Sequence, residues 1–310
     1  MNLIAAPSEL KPPGARVCLA IGVFDGVHLG HQQVIRQTIS DARQHEALSV
    51  IVTFDRHPNT IVAPARAPAL IYPLEKKLQV IESMGAHTVL LLPFDQALSQ
   101  VTAPQFIENL KNGFGPIQSI CVGSTFTFGH RRGGNVELLQ SLGRDWNFTV
   151  HGLAAIALDG DRVSSTRIRE AIRSADFDAA SQMLGRAYSL CGRVVEGDRV
   201  GRTLGFPTAN LAVEGIALPP TGVYAAHVEV GGKNFRAVLN IGHRPTLRSP
   251  APELRVEAHL LDFSSDLYGA EMELTFVAKL REEQKFASLQ DLKSQIARDI
   301  ISAATIFKSR

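Results

Sequence analysis

Cysteine is scarce in this 310-residue chain: Cys18, Cys121 and Cys191 are odd in number, far apart, and never in a CxxC pair. That argues against a disulfide framework or a cysteine-based zinc site, and a reducing, cytoplasmic setting is expected. Excess charge is also missing. Thirty-two Lys and Arg against 30 Asp and Glu leave a net charge of +2. This is too little for a nucleic-acid coat or a polybasic membrane anchor, although a local anion site is compatible with it. No apolar run approaches the roughly 18 residues that cross a bilayer. The opening MNLIAAPSELKPPG lacks a basic segment followed by an apolar one, so no signal peptide is read. Internal repeats and low-complexity tracts are absent, and so is the G-x-G-x-x-G fingerprint of NAD-type dinucleotide binding.

What is present divides into two textures, and the length itself predicts two domains. From 16 to 153, buried-strand runs such as RVCLAIGVF (16–24), LSVIVTF (48–54), HTVLLLPF (87–94) and IQSICVG (117–123) alternate with amphipathic runs such as HQQVIRQTISDARQH (31–45) and PLEKKLQVIESMG (73–85). Alternation with short connections predicts an α/β domain with a parallel sheet covered on both faces. Its ligands are expected beyond the carboxyl ends of the strands. After the mostly helical stretch 163–188, five strand-like runs follow with no helix between them: YSLCGRVVEG, GVYAAHVEV, KNFRAVLNIG, ELRVEAHLLDF and EMELTFVAKL. That is the pattern of a small antiparallel barrel, closed by the amphipathic helix 288–307. The domains are therefore read as 1–185 and 186–310.

The stretch GVFDGVHLGHQ (22–32) places His28 and His31 three apart where a strand hands over to a helix. Zinc needs three or four ligands, and no cysteine or glutamate stands at ligand spacing here. Two readings remain open: the histidines cap and pack the helix, or they join its N-terminus and glycine amides in holding a phosphate. Gly30 permits close approach of such a phosphate to the backbone. Further on, Ser164, Ser165, Thr166 and Arg169 in VSSTRIR are phosphate donors by type, and the same hydroxyls suit a helix N-cap. In GRTLGFPTANL (201–211), a turn accounts for glycine and proline but not for threonine and asparagine beside them. Oxygen ligands from Thr208 and Asn210 suit Mg²⁺ shared with ATP phosphates. Glu257 sits on a strand whose period-2 reading puts Val256, Ala258 and Leu260 on one face and Glu257, His259 and Leu261 on the other.

These motifs resemble those of the bifunctional prokaryotic riboflavin kinase/FAD synthetase family. GVFDGVHLGH resembles the H-x-G-H signature of its Rossmann-like nucleotidyltransferase domain, TFDRHP (53–58) its second motif, VGSTFTFGHRRGGN (122–135) its G-x-[DN]-F-x-F-G segment, and VSSTRIR the motif that closes over nucleotide phosphates. GRTLGFPTANL resembles the kinase signature GxPTAN, and the likeness continues through NIGHRPTL, VEAHLLDF, DLYG and KLREEQKF. Arg56 stands where the family usually has proline and Thr125 where it has asparagine or aspartate. The resemblance implies conversion of riboflavin to FMN and of FMN to FAD, with ATP and Mg²⁺, in a cytoplasmic monomer or homo-oligomer. It implies Glu257 as the base of the kinase and His28 and His31 as catalytic groups of the adenylyl transfer. Nucleotide contacts fall on Gly22, Phe24, Asp25, Gly30, Gly123, Arg132, Ser164, Ser165, Thr166 and Arg169 in the first domain, and on Gly201, Arg202, Gly205 and Pro207 in the second. Flavin contacts fall on Arg281 and Glu283. Thr125 and Arg56 motivate an alternative, a kinase with a weakened adenylyltransferase; a non-enzymatic flavin-binding regulator is the third reading.

Overall fold

The computed structural model describes residues 1–197, 201, 204–244 and 253–309. The chain divides into two compact units, one of residues 1–168 with 183–185, the other of 169–182 with 186–310. The stretch 169–182 thus groups with the second unit.

The first unit is built on six parallel strands in the order β1-β4-β3-β2-β5-β6: β1 (Asn2–Ile4), β2 (Val17–Ile21), β3 (Leu48–Phe54), β4 (Thr88–Leu92), β5 (Ile117–Gly123) and β6 (Thr149–Leu153). All five residues of β2 are buried, as a central strand covered on both faces requires. The main helices are α1 (Leu29–Gln44), α3 (Leu74–Ser83), α5 (Ala103–Phe114) and α6 (Val136–Trp146), with two one-turn helices, α2 (Asn59–Val62) and α4 (Gln96–Ser99). Their boundaries follow local chemistry. Thr102 and Gln105 form a capping box at α5, and Asn135 accepts the Leu138 N–H at the start of α6. A strand partner of β2 on each side, β3 and β5, makes the strand order reverse there, which is where such sheets bind ligands. A small hairpin, β7 (Ala157–Leu158) and β8 (Asp161–Arg162), precedes α7 (Ser165–Arg173) and α8 (Phe177–Leu184).

In the second unit, β9 (Ser189–Val195), β10 (Ala209–Ala212), β11 (Gly222–Val230), β12 (Lys233–Arg244), β13 (Glu253–Leu260) and β14 (Glu271–Arg281) close into an antiparallel barrel in the order β10-β13-β12-β11-β14-β9. The sequence announces five of these strands; β10, inside PTANL, is the sixth. Tyr224, Leu239 and Ala258 fill the interior and are fully buried. Val223, Ala225 and Val238 point outward, where they pack with Ile300, Ala303 and Phe307 of the closing helix α9 (Leu289–Ser309). Phe177 stacks on Phe276 at 4.6 Å, adding an aromatic cluster.

Candidate active site

In the first unit, β2 ends at Ile21 and the chain makes a tight turn before α1. Phe24 and Val27 both lie in the left-handed region, at φ 52° and 42°, a conformation that costs a β-branched residue most. The turn is held by its buried aspartate: Asp25 Oδ1 accepts the Ile71 N–H at 2.9 Å, and its carbonyl accepts the Ser165 hydroxyl at 3.0 Å. Gly22 leaves room for the Phe24 ring, which a Cβ would meet at 3.0 Å. His28 is the N-cap of α1, its Nδ1 accepting the His31 N–H at 3.4 Å. In the neutral form of the ring the proton then sits on Nε2. The His28 and His31 rings stack with centroids 3.6 Å apart and planes 19° apart, and Phe24 meets His31 edge-on at 5.3 Å. Burial holds the His31 pKa well below its ordinary 6.5, and the nearby charges of His28, Lys77 and Arg162 push it the same way. His31 Nδ1 is buried and has no hydrogen-bond partner among the described residues. At Gly30 a Cβ would come 3.2 Å from His28 Cε1, so a side chain there would crowd the imidazole.

Around this turn the other sequence candidates fall in three groups. Ser164 Oγ accepts the Arg167 N–H at 3.3 Å; Ser165 is bound to the Asp25 carbonyl, and Thr166 is exposed. Arg169 is buried and groups with the second unit. Gly123 ends β5. Two residues on, Thr125 uses its hydroxyl to accept the Arg162 guanidinium at 2.7 Å. The atypical threonine therefore holds an arginine whose charge reaches His31. Arg132 borders a cavity of about 690 Å³ at the carboxyl ends of β2, β3 and β5. Phe54, Phe94, Phe126 and Phe128 give this cavity apolar walls, in two ring pairs at 5.3 and 5.2 Å, a slot suited to a flat aromatic ligand. Sequence reasoning did not single out these four rings, although TF and TFTF sit in both motifs. Arg56 is half-exposed and pairs with Asp55 at 2.9 Å. Asp55 also accepts the Phe94 N–H at 2.9 Å; these donors outweigh its burial and hold its pKa below the usual carboxylate value.

In the second unit one rung of the barrel brings two of the sequence candidates together. Asn210 lies opposite Glu257 on β13, and Glu257 opposite Asn240 on β12. Val256, Ala258 and Leu260 point to the buried interior while Glu257 and His259 face the other way, as the period-2 reading predicts. Thr208 Oγ1 donates to Glu257 Oε2 at 3.4 Å. Asn210 Oδ1 is buried with no hydrogen-bond partner among the described residues. Its amide packs so closely on Gly197 that a Cβ there would overlap it. The loop before β10 is folded by Gly201, whose carbonyl accepts the Phe206 N–H at 2.8 Å, and by Gly205 at φ 88°. The Pro207 carbonyl lies 2.8 Å from His259 Nδ1. Arg202 lies outside the described residues. Glu283 is exposed, with Oε1 2.5 Å from where a Gly242 Cβ would stand. Arg281 Nε and Nη2 form a fork on buried Asp299 of α9 at 2.8–3.1 Å.

Among the described residues no three His, Cys, Asp or Glu side chains form a metal cluster. The hard, neutral oxygens of Thr208 and Asn210 are instead a partial ligand set of the kind Mg²⁺ completes with phosphates and water. All three cysteines are buried and none forms a disulfide; burial raises the Cys121 thiol to about 12, so it stays protonated.

Residues 11–167 match the FAD synthetase family and residues 184–307 the riboflavin kinase family. The bifunctional riboflavin kinase/FMN adenylyltransferase of Pseudomonas fluorescens is 38% identical over 99% of this chain and 98% of its own length. The enzymes of the same name from Haemophilus influenzae and Escherichia coli (strain K12) are each 37% identical, over 94% and 99% of this chain and 94% and 98% of their own lengths. The solved structure of a macrolide-efflux protein from Streptococcus pneumoniae has the same architecture, with a TM-score of 0.80 at 27% identity, covering 97% of this chain and 98% of that one. No helix among the described residues is long and apolar enough to cross a membrane. A histidine-capped turn on a parallel sheet and a Thr-Asn-Glu rung on a barrel coincide with the two matched modules. With full-length relatives that carry both, the chain belongs to the bifunctional riboflavin kinase/FMN adenylyltransferase family.

Proposed function

We propose that the barrel unit phosphorylates riboflavin to FMN and that the parallel-sheet unit adenylylates FMN to FAD, with ATP as donor in both reactions, in the cytoplasm. The observation that carries this reading is the Asn210 carboxamide oxygen, buried beside Glu257 and lacking a hydrogen-bond partner among the described residues. A buried oxygen left without a donor is costly in a structural site and natural in one that receives a cation.

In the barrel, Glu257 accepts the proton of the ribityl 5′-hydroxyl as that oxygen attacks the γ-phosphorus of ATP; the bond to the β-phosphate oxygen breaks and ADP leaves. Thr208 Oγ1 donates a hydrogen bond to Glu257, which orients the carboxylate and leaves the hydroxyl lone pairs for a cation. Thr208 and Asn210 would hold Mg²⁺, which when bound would supply charge neutralisation on the phosphates. Positioning and electrostatics account for most of such catalysis. Gly201, Arg202, Gly205 and Pro207 form the nucleotide-binding loop, and Glu283 bounds the flavin side. Arg281 acts by fixing the start of that segment to α9.

In the sheet unit, a phosphate oxygen of FMN attacks the α-phosphorus of ATP and pyrophosphate leaves, with no covalent intermediate. His28 Nε2–H, His31 and the amides of Leu29 and Gly30 at the start of α1 stabilise the charge that develops on the α-phosphate. Burial favours the neutral form of the His31 imidazole, which can donate without changing its protonation state. Gly22, Phe24, Asp25 and Gly123 shape the nucleotide side, Ser164, Ser165, Thr166 and Arg132 serve its phosphates, and the aromatic slot takes the flavin rings.

The test incubates the purified chain with riboflavin, ATP and Mg²⁺ and resolves flavins by chromatography. FMN followed by FAD is expected. FMN accumulating without FAD would instead mean that the threonine at 125, in place of an amide or carboxylate, has disabled the transferase. Bound flavin without turnover would refute both activities.

A further inference from the structure

Lys77 lies on α3, in a run whose charged residues suggest a solvent-facing helix, yet it is only 8% exposed. Its ammonium points inward to the carboxyl ends of two neighbouring strands. Nζ donates to the Phe54 carbonyl at 2.8 Å, to Thr53 Oγ1 at 3.2 Å and to the Val23 carbonyl at 3.4 Å. Thr53 Oγ1 in turn donates to the same Val23 carbonyl at 3.1 Å. Phe54 ends β3 within the second motif; Val23 directly precedes the strained turn that delivers His28. One ammonium thus ties together the two backbone segments that border the adenylyl-transfer site. An ammonium has three protons and here all three have acceptors, so none is left for a nucleotide phosphate.

We propose that Lys77 is a positioning residue of the adenylyl transfer, fixing the H-x-G-H turn against the second motif and setting the electrostatic environment of His31. The inference rests on the assignment of FAD synthesis to this unit. Two observations bear on the electrostatic half. Lys77 is among the charges that lower the His31 pKa. The lysine itself is brought down to about 8 by burial, against the opposing pull of Asp25 and Asp55. A cation kept where burial opposes it, with carboxylates on both tethered segments, is retained for what it does there rather than for stability.

The test compares Lys77→Met and Lys77→Arg in the full chain. FAD formation from supplied FMN is followed together with FMN formation from riboflavin, and the His31 imidazole is titrated by NMR. Misplacing a reacting group by about 1 Å costs on the order of a hundredfold. Lys77→Met is therefore expected to lower kcat for FAD synthesis roughly 10- to 100-fold with the KM for ATP within about twofold, and to move the His31 midpoint upward. Lys77→Arg keeps the charge and the donors and is expected to recover most of kcat. FMN formation stays unchanged in both. A folded Lys77→Met chain with wild-type kcat overturns the proposal. So does a loss confined to KM, which would put the ammonium on the nucleotide, or a His31 midpoint that does not move. If the methionine variant fails to fold, as Trp146 fluorescence in this unit reports, Thr53→Val probes the same network; a kcat unchanged there overturns the proposal equally. A wild-type chain that makes no FAD refutes the assignment of the unit, and the His31 titration still decides the role of Lys77.

Discussion

Replacing His28 by alanine removes two things at once, and the structure allows them to be separated. The ring nitrogen Nδ1 caps α1 by accepting the His31 N–H, while Nε2–H is the donor proposed for the phosphate. Losing an N-cap costs about 0.5–2 kcal/mol; the bond here is long at 3.4 Å, which puts the expected loss near the lower end, about 0.5–1 kcal/mol. Losing one donor to a developing oxyanion costs roughly a hundred- to a thousandfold in kcat, or about 2.7–4 kcal/mol. Asparagine is among the strongest N-caps but has no imidazole. His28→Asn should therefore regain the stability that His28→Ala loses and none of the FAD synthesis. The assay is convenient, because the single tryptophan of the chain, Trp146, ends α6 in this unit, and its fluorescence during denaturant unfolding reads this unit's stability. FMN formation from riboflavin, measured in the same tube, should not change. Wild-type FAD synthesis in His28→Asn would refute the donor role, and a parallel fall of both activities would refute the division of labour between the units.

Three further outcomes are expected. Glu257→Gln keeps the shape of the kinase site but cannot take the ribityl proton, so FMN formation should fall 10²- to 10⁴-fold while FAD formation from supplied FMN persists; loss of both activities would contradict this. Arg281→Met leaves Asp299, 6% exposed, without its guanidinium fork, and should destabilise the barrel unit by about 3 kcal/mol in calorimetry, as breaking a buried pair does. Adding Asp299→Leu should recover most of that loss, and a single-variant change below about 1 kcal/mol would refute the reasoning. Because Lys77 titrates near 8 when folded and 10.5 when unfolded, the unfolded chain holds this proton longer. The unit therefore gains stability as pH rises from 8 to 10.5, on the order of 3 kcal/mol at about 1.4 kcal/mol per pH unit. The gain should vanish in Lys77→Met, measured by denaturant unfolding at both pH values, and equal pH slopes for the two chains would exclude it.

The alternation of apolar and amphipathic runs carries the parallel sheet because a buried strand such as VCLAI has no polar face to mistake. The same periodicity places Glu257 and His259 on the face opposite Val256 and Ala258, so the kinase rung is legible before any coordinates. β1 and β10 are not, since three and four residues are too few for a period to show, and their strand character comes from partners far along the chain. Lys77 escapes for a different reason. Lysine beside Lys76 in an amphipathic helix reads as solvated, and only the convergence of the Val23, Thr53 and Phe54 oxygens, set by tertiary packing, reveals where it points. Arg281 is the opposite case: its motif suggests a ligand contact, while its partner Asp299 lies 18 residues away on α9.

The outer wall of the barrel is divided into sectors. On the rung Asn210–Glu257–Asn240, the next residue around is Val223, which lies among the apolar side chains that α9 covers. Hydrophobic anchorage and the residues proposed for phosphoryl transfer therefore occupy adjoining arcs of one closed ring of strands, around an interior filled by side chains. Substitutions inside the lumen should tune how firmly the ring holds together, and those on the polar arc should tune turnover. Lengthening or shortening α9 would shift the frontier between the two arcs, which makes the closing helix the natural handle for altering access to Glu257 without touching it.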